Sequence, residues 1–375
     1  MDRRSFIGKT SIALAGIAAL KSQAFAMAAE SVGLAELYKD DFYIGAAFGG
    51  RILMNNDEEM LGIIKREFNS ISSENDFKWA SIQPSDDEWR FEVQDKFVKF
   101  GLDNNMHMLG HCLVWHSQVP RSLFRDADGN QISKEGLLKK LDYHVLTLVD
   151  KYKGKMNAWD VVNEAIEERG WRNSNWVRII GKEFMERAFN LAHEADPNAH
   201  LIYNDYNMDK KGKRDQVVEM VKDFKKRGIP IHGIGLQGHV GLDYPDLREF
   251  EASIKAFADE GMKVHITELD VTVLPYDWGR TAEISTNREY AASLNPYTEG
   301  LPKDVDKKLA DRYVELFKIF LKYRDSMERV TFWGVSDDQS WKNNFPMRGR
   351  TDYPLLFDRE HKPKSCYDAI AALKK

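Results

Sequence analysis

The stretch Asn157-Ala158-Trp159-Asp160-Val161-Val162-Asn163-Glu164 has the pattern of a buried strand that ends abruptly in an amide and a carboxylate. A second stretch, Lys263-Val264-His265-Ile266-Thr267-Glu268-Leu269-Asp270, repeats this design further along the chain. Because residues two apart in a strand point to the same face, Val264, Ile266 and Glu268 share one face. Two carboxylates at two strand ends indicate a candidate catalytic pair.

Both stretches belong to a longer alternation that starts near residue 40. Short apolar or β-branched runs alternate with amphipathic stretches, which is the pattern of βα units around a parallel sheet. Eight runs predict strands: Tyr43–Phe48, Ser70–Ser73, Met106–Val114, Asn157–Val162, His200–Asn204, Gly233–Gln237, Lys263–Leu269 and Val330–Val335. The helices are predicted at Asp57–Phe68, Gln94–Asn104, Lys134–Tyr152, Val177–Ala195, Lys213–Lys226, Leu247–Glu260, Asp304–Tyr323 and Ser365–Leu373.

Eight strand–helix repeats without a Pro/Gly/Ser-rich linker favour an α/β fold made of a single (β/α)8 barrel, the TIM barrel. A doubly wound open sheet is the alternative, but Gly45 and Gly49-Gly50 do not form the G-x-G-x-x-G turn typical of that fold. We therefore predict one catalytic domain over residues 27–375, with its cleft at the C-terminal ends of the strands. The long irregular stretch 272–302 is expected to overhang this cleft.

Residues 1–26 have the features of an export signal. Arg3-Arg4-Ser5-Phe6-Ile7 is a charged head, Ile12–Leu20 is a short apolar run and Ala24-Phe25-Ala26 is a small-residue cleavage site. The apolar run is far shorter than the ~20 residues that cross a bilayer, so no stable membrane anchor is predicted. The head resembles a twin-arginine signal, although its flanking residues differ from the usual ones. We expect export to the periplasm or the cell exterior.

The composition narrows the possible partners. The net charge of -5 arises from 59 acidic and 54 basic residues, so no basic excess is present and nucleic acid is not an expected partner. Nine Trp and 14 Tyr residues offer flat faces that can stack on sugar rings. The two cysteines, Cys112 and Cys366, form no disulfide framework and are expected to be buried small hydrophobes.

In a barrel of this kind the active site lies at the C-terminal strand ends, where Glu164 and Glu268 are placed. A single glutamate there could equally cap a helix or pair with an arginine, but two of them match glycoside hydrolysis. In that reaction one carboxyl group protonates the leaving oxygen and the other attacks the sugar or activates water. We expect His239, oriented by Asp270, to hydrogen-bond Glu268 and keep it ionised as the nucleophile. Glu164 has fewer evident partners, which suits the acid.

Four motifs occur in order at the predicted strand ends: Ser73-Glu74-Asn75-Asp76-Phe77-Lys78-Trp79, Gly110-His111-Cys112-Leu113-Val114-Trp115-His116-Ser117-Gln118, Trp159-Asp160-Val161-Val162-Asn163-Glu164 and Ile266-Thr267-Glu268-Leu269-Asp270. Together they resemble glycoside hydrolase family 10, the retaining endo-β-1,4-xylanases, from about residue 40 to the C-terminus. Three further segments are similar to that family: Asn204-Asp205-Tyr206-Asn207, Gly235-Leu236-Gln237-Gly238-His239 and Thr331-Phe332-Trp333-Gly334-Val335-Ser336-Asp337.

The resemblance implies a retaining double displacement on β-1,4-xylan and xylo-oligosaccharides, with Glu164 as acid/base and Glu268 as nucleophile. It also implies that Asn163 binds the sugar 2-hydroxyl, a contact expected to tighten in the transition state. The other implied substrate-binding positions are Glu74, Asn75, Lys78, His111 and Gln118 on the glycone side, Trp115, Trp333 and Trp341 as aromatic walls, Tyr206 on the aglycone side, and Gln237 and His239 as partners of the nucleophile. No cofactor or metal is implied, and we expect a monomer.

Other interpretations of these residues remain. From spacing alone Glu74 and Lys78 would be an exposed i,i+4 pair on a helix, and Trp333 would be a core residue. A metal-dependent hydrolase on the same barrel would use His107, His111, His116 and His239, but metal-ligand spacing is absent. A non-catalytic sugar-binding protein could dispense with either carboxylate.

The closest alternative is a β-1,4-glucanase or mannanase with the same pair of glutamates. The segments Glu74-Asn75-x-x-Lys78 and His111 to Gln118 favour xylan over these substrates. If Trp333 and Trp341 crowd the C5 position of the sugar, they would exclude a hydroxymethyl group by steric clash.

Overall fold

The computed structural model describes residues 32–275 and 292–375. The export signal predicted for residues 1–26 lies outside the described residues. So does most of the loop 272–302, including Tyr276, Trp278 and Tyr290. None of the helices in the described parts of the chain is long and apolar enough to cross a membrane.

Eight parallel strands close into a barrel, which confirms the predicted fold. They are β1 Tyr43–Phe48, β2 Ser70–Ser73, β3 His107–Val114, β4 Ala158–Asn163, β7 His200–Asp205, β8 Gly233–Leu236, β10 Lys263–Thr272 and β11 Met327–Phe332. Each pairs with the next along the chain, and β11 pairs with both β10 and β1, which closes the sheet. Three short strands stand outside the barrel: β5 Ile166–Glu167 and β6 Gly170–Trp171 form an antiparallel ribbon, and β9 His239–Gly241 pairs with the end of β10.

The helices follow the predicted alternation. In chain order they are α1 Leu34–Leu37, α2 Arg51–Met54, α3 Glu58–Glu67, α4 Trp79–Ile82, α5 Glu92–Asp103, α6 Lys134–Lys151, α7 Asn175–Ile179, α8 Glu183–Ala195, α9 Lys211–Arg227, α10 Leu247–Asp259, α11 Lys303–Lys322 and α12 Ser365–Ala372. Side chains of Asp57 and Ser133 cap α3 and α6 by accepting from backbone amides of their first turns. Gly228 ends α9 in the left-handed conformation.

One helix prediction was wrong. The pattern predicted a single helix over Val177–Ala195, but the structure contains α7 and α8 with a break between them. Gly181 lies in the break with φ of 104°, a backbone conformation that no right-handed helix can include. The apolar periodicity continues across the break because both helices bury residues such as Trp176 and Phe184 against the same core.

The barrel places the two stretches quoted first on the same rim. The predicted fourth and seventh strands are β4 and β10, and Glu164 immediately follows β4 while Glu268 lies within β10. Trp159 is fully buried and packs edge-on against Phe77, so it is a core residue. Cys112 and Cys366 are buried free thiols, as predicted.

Candidate active site

A cleft of about 1000 Å³ opens at the carboxyl ends of the barrel strands. The structure brings all of the predicted site residues to its lining: Glu74, Asn75, Lys78, His111, Trp115, Gln118, Asn163, Glu164, Tyr206, Gln237, His239, Glu268, Trp333 and Trp341. They come from segments spread over more than 260 positions, and only barrel closure makes them neighbours.

Glu268 lies almost fully buried at the floor of the cleft. Its Oε1 accepts from Asn204 Nδ2 at 3.0 Å, and its Oε2 lies 3.0 Å from His239 Nε2. Burial opposes ionisation, but the hydrogen bond to His239 and the nearby charges of His111, His239 and Lys78 outweigh it. The pKa of Glu268 is therefore held below its ordinary value.

The predicted contacts of His239 with Glu268 and Asp270 are present in the structure. His239 Nδ1 lies 3.0 Å from Asp270 Oδ2, so the imidazole bridges Asp270 and Glu268. Burial disfavours a charged ring, but the Asp270 charge and the hydrogen bonds to both carboxylates raise the pKa of His239 to about 9. At neutral pH an imidazolium therefore faces an ionised Glu268. Trp341 Nε1 donates to Asp270 Oδ2 at 2.8 Å, and Lys342 Nζ lies 3.3 Å from Oδ1.

Glu164 has more partners than the sequence suggested. Trp115 Nε1 donates to its Oε2 at 2.9 Å, and Gln237 Nε2 donates to its Oε1 at 2.9 Å. The resemblance implied that Gln237 is a partner of Glu268, but its side chain contacts Glu164 instead. Only the Gln237 backbone carbonyl serves Glu268, by accepting from the Glu268 amide at 2.7 Å. The cause is a kink: Gly238, with φ of 83°, separates Gln237 from His239, so they no longer follow strand alternation.

Asn204 contacts both glutamates and was missed as a site residue, because its backbone carbonyl accepts from the Glu164 amide at 2.9 Å and its side chain binds the Glu268 carboxylate. Its Nδ2 lies 3.0 Å from Glu268 Oε1 and 3.1 Å from the side-chain amide of Asn163. Thr267 Oγ1 donates to Asn204 Oδ1 at 2.6 Å, which fixes the orientation of the amide. The segment Asn204 to Asn207 was noticed in the sequence, but strand pairing had to be known before Asn204 could be placed between the glutamates.

The part of the cleft lined by Glu74, Asn75 and Lys78 carries buried polar groups instead of the exposed ion pair that the spacing suggested. Lys78 is only 6% exposed, so its interpretation as an exposed partner of Glu74 is wrong. Its Nζ donates to Asn75 Oδ1 at 2.8 Å and lies 5.0 Å from the Trp115 ring centroid. Burial raises the pKa of Glu74, although Lys78 and Asn75 counteract it. His111 Nδ1 lies 2.8 Å from Asp160 Oδ2.

Aromatic rings form the remaining walls. Trp333 is both core and wall, because it is 7% exposed, lines the cleft and packs edge-on to His111 at 5.2 Å between ring centroids. Trp341 packs edge-on to His239 at 5.1 Å and stacks on Phe345. Tyr206 also lines the cleft, and its hydroxyl accepts from Arg172 Nη2 at 2.7 Å.

The sequence model of the family described as "Glycosyl hydrolase family 10" matches residues 33–373. The chain belongs to glycosyl hydrolase family 10. It is therefore a glycoside hydrolase, and Glu164 and Glu268 both line the cleft at the carboxyl ends of its barrel strands.

Three similar proteins show the extent of the similarity. Endo-1,4-beta-xylanase A of Xylanibacter ruminicola is 43% identical over 335 residues, which cover 88% of this chain and 90% of the relative. A GH10 endoxylanase from a sugarcane soil metagenome superposes with a TM-score of 0.87 at 51% identity, covering 91% and 100% of the two chains. A mutant enzyme solved in complex with xylotriose superposes at 0.81 with 35% identity, covering 91% and 99%.

Of the histidines considered as metal ligands in this family 10 chain, His107 lies away from the cleft. His107 lies at the opposite end of β3 from the cleft and packs on Tyr43, with 4.6 Å between ring centroids. Four residues of strand, about 13 Å, separate it from His111. In residues 32–275 and 292–375 no group of three or more His, Cys, Asp or Glu side chains is arranged to hold a metal ion.

Proposed function

We propose that this family 10 chain is an endo-1,4-β-xylanase that acts by a retaining double displacement. The observation that carries the proposal is the unequal pair of carboxyl groups in one cleft. Glu268 faces an imidazolium that favours its ionised form, whereas Glu164 is held by neutral indole and amide donors. The names of the relatives support xylan as the substrate, and the xylotriose complex of one neighbour supports a cleft for several xylose units.

In the first step, Glu268 attacks the anomeric carbon as the glycosidic C–O bond breaks. Glu164 gives its proton to the departing oxygen, and a covalent glycosyl-enzyme ester forms. In the second step, the ionised Glu164 takes a proton from water, and the water oxygen attacks the anomeric carbon and releases Glu268. Two inversions give a product with the original anomeric configuration. Asn163, whose side chain contacts Glu164 and Asn204, would bind the sugar 2-hydroxyl.

Substitution of His239 by Asn is expected to shift the acid limb of the pH profile of kcat/KM to higher pH. His239 holds the pKa of Glu268 below its ordinary value, and its removal leaves burial to raise that pKa. Because Glu268 must be ionised to attack, a higher pKa means that activity is lost at a higher pH as the solution is acidified. Profiles of kcat/KM from pH 3 to 9 test this. An unmoved acid limb would show that His239 does not control the ionisation of Glu268.

Xylan is expected to be preferred over hexose polymers. If Trp333 and Trp341 crowd the C5 position, a hydroxymethyl group meets an indole wall, and one such clash changes kcat/KM by roughly 10- to 200-fold. The measurement compares kcat/KM for xylotetraose, cellotetraose and mannotetraose. Faster turnover of either hexose oligomer would favour the alternative function, a β-1,4-glucanase or mannanase on the same barrel.

The whole proposal is tested by a time-resolved product profile on arabinoxylan and glucuronoxylan, with the anomers followed by NMR. We expect early release of mixed xylo-oligosaccharides, as internal cleavage requires, and initial products in the β configuration. Initial α products would contradict retention. Steady release of xylose or xylobiose alone from the start would contradict an endo mode.

A further inference from the structure

Glu164 occupies a backbone conformation that a glutamate rarely adopts. Its φ is 56°, in the left-handed region that favours glycine. Such a residue persists only where its surroundings hold it, and these surroundings often belong to function. Two sets of side chains bind the backbone from Glu164 to Ile166 at the rim of the cleft.

The first group that holds this backbone is the side chain of Arg172. The ribbon β5–β6 folds the chain back after Glu164 and brings Arg172 against it, with the Arg172 amide donating to the Ala165 carbonyl at 2.9 Å. Arg172 Nε donates to the backbone carbonyl of Glu164 at 2.7 Å. Its Nη2 donates to the Tyr206 hydroxyl at 2.7 Å and lies 2.6 Å from Glu167. One guanidinium therefore ties the backbone of Glu164 to the tyrosine on the aglycone side.

The second group that holds this backbone is the side chain of Tyr203. The Tyr203 hydroxyl accepts from the amides of Ala165 at 3.1 Å and Ile166 at 2.9 Å, and donates to Asp205 Oδ2. Asp205 Oδ1 accepts from Lys213 Nζ at 2.6 Å, and both charged side chains are almost completely buried. These bonds fix the hydroxyl under the two residues that follow Glu164.

The buried pair also reaches Tyr206. Lys213 Nζ lies 3.9 Å from the centroid of the Tyr206 ring, and the Tyr206 amide donates to Asp205 Oδ1 at 2.9 Å. A buried ion pair is weak evidence for stability, since apolar residues of the same volume often serve as well. These contacts instead suit an orienting role, because both supports converge on the residues around Glu164 and on Tyr206.

We propose that Arg172, Tyr203, Asp205 and Lys213 are positioning residues that aim Glu164 at the leaving oxygen. None of the four lines the cleft, so they act through Glu164 and not on the sugar. The inference rests on the proposed function, because it requires Glu164 to be the acid/base. Poor alignment of an acid penalises a reaction only where protonation of the leaving group is needed.

The test is Tyr203→Phe, which removes the hydroxyl and keeps the ring. We expect kcat/KM for phenyl β-xylobioside, whose leaving group needs a proton and has no sugar to contact Tyr206, to fall about tenfold or more, since misplacement of a catalytic group by ~1 Å can cost 10²-fold. For 2,4-dinitrophenyl β-xylobioside, whose leaving group needs none, kcat/KM should change less than about threefold. Equal losses on both substrates, or none on either, would overturn the proposal.

Tyr152→Phe is the matched control, because Tyr152 is also a buried tyrosine whose hydroxyl donates to an aspartate, Asp95 Oδ1 at 2.9 Å, outside the cleft lining. It should leave the ratio of the two kcat/KM values unchanged, and a matching shift in the control would overturn the proposal. If Tyr203→Phe does not fold, Arg172→Met should shift the ratio in the same direction, and an unchanged ratio there would also overturn it. Glu164→Ala tests the acid/base role of Glu164 independently of the positioning residues. If it lowers both substrates equally, the acid/base assignment itself has failed.

Discussion

Replacement of Glu268 by Ala is expected to abolish hydrolysis of every substrate, with a fall in kcat of about 10⁴- to 10⁶-fold, the range known for residues of a nucleophilic unit in other enzymes. In the proposed mechanism no covalent intermediate can form without this carboxylate, whatever the leaving group. The measurement is kcat on xylotetraose and on 2,4-dinitrophenyl β-xylobioside, and both should fall together.

Glu268→Gln is the control for this substitution. It preserves the volume of the side chain and an oxygen that can accept from Asn204, yet it removes the nucleophilic charge. We expect the same loss of activity with a melting temperature closer to that of the unaltered protein. Activity of Glu268→Gln above about 1% of the unaltered rate would contradict the role of Glu268.

Glu164→Ala is expected to separate the two substrates. On xylotetraose kcat/KM should fall by roughly 10² to 10⁴, the contribution of a positioned general acid. On 2,4-dinitrophenyl β-xylobioside kcat/KM should be almost unaffected, because this leaving group departs without a proton. The second step then lacks its base, so kcat falls, and azide should restore it by attacking the ester directly.

The product of azide rescue is decisive. A β-xylobiosyl azide would show that the nucleophile lies on the opposite face from azide in a retaining mechanism. Should Glu164→Ala and Glu268→Ala lose activity alike on both substrates, the division of roles between the two glutamates is wrong.

The fold could be predicted from the sequence because a barrel strand buried on both faces leaves a continuous apolar run. The run that ends at Glu164 and the one that carries Glu268 both became barrel strands close to the expected bounds. The helix predicted over Val177–Ala195 is two helices in the structure. The apolar periodicity could not reveal the break, because it is made by the backbone conformation of one residue, Gly181, whose φ is positive.

The sequence predicted which residues line the cleft, but it did not predict all of the hydrogen bonds between them. His239 was assigned correctly to Glu268, since both lie near the ends of neighbouring strands. Gln237 was assigned to the wrong glutamate, because the turn at Gly238 redirects it. Asn204 and Arg172 were not predicted at all. Their roles depend on which strands are neighbours and on how the chain returns after Glu164, and neither is encoded in local spacing.

The chain of contacts from Trp341 through Asp270 and His239 to Glu268 has a consequence for how this enzyme can vary. The Trp341 ring, which lines the cleft, donates to Asp270, and Asp270 also contacts His239, the charged partner of the proposed nucleophile Glu268. Substrate fit and nucleophile reactivity are therefore not independent properties, and residues in one such network show non-additive effects. A change at Trp341 that widened the cleft for bulkier sugars would also disturb the charge balance at Glu268, so a broader substrate range would come with a shifted working pH.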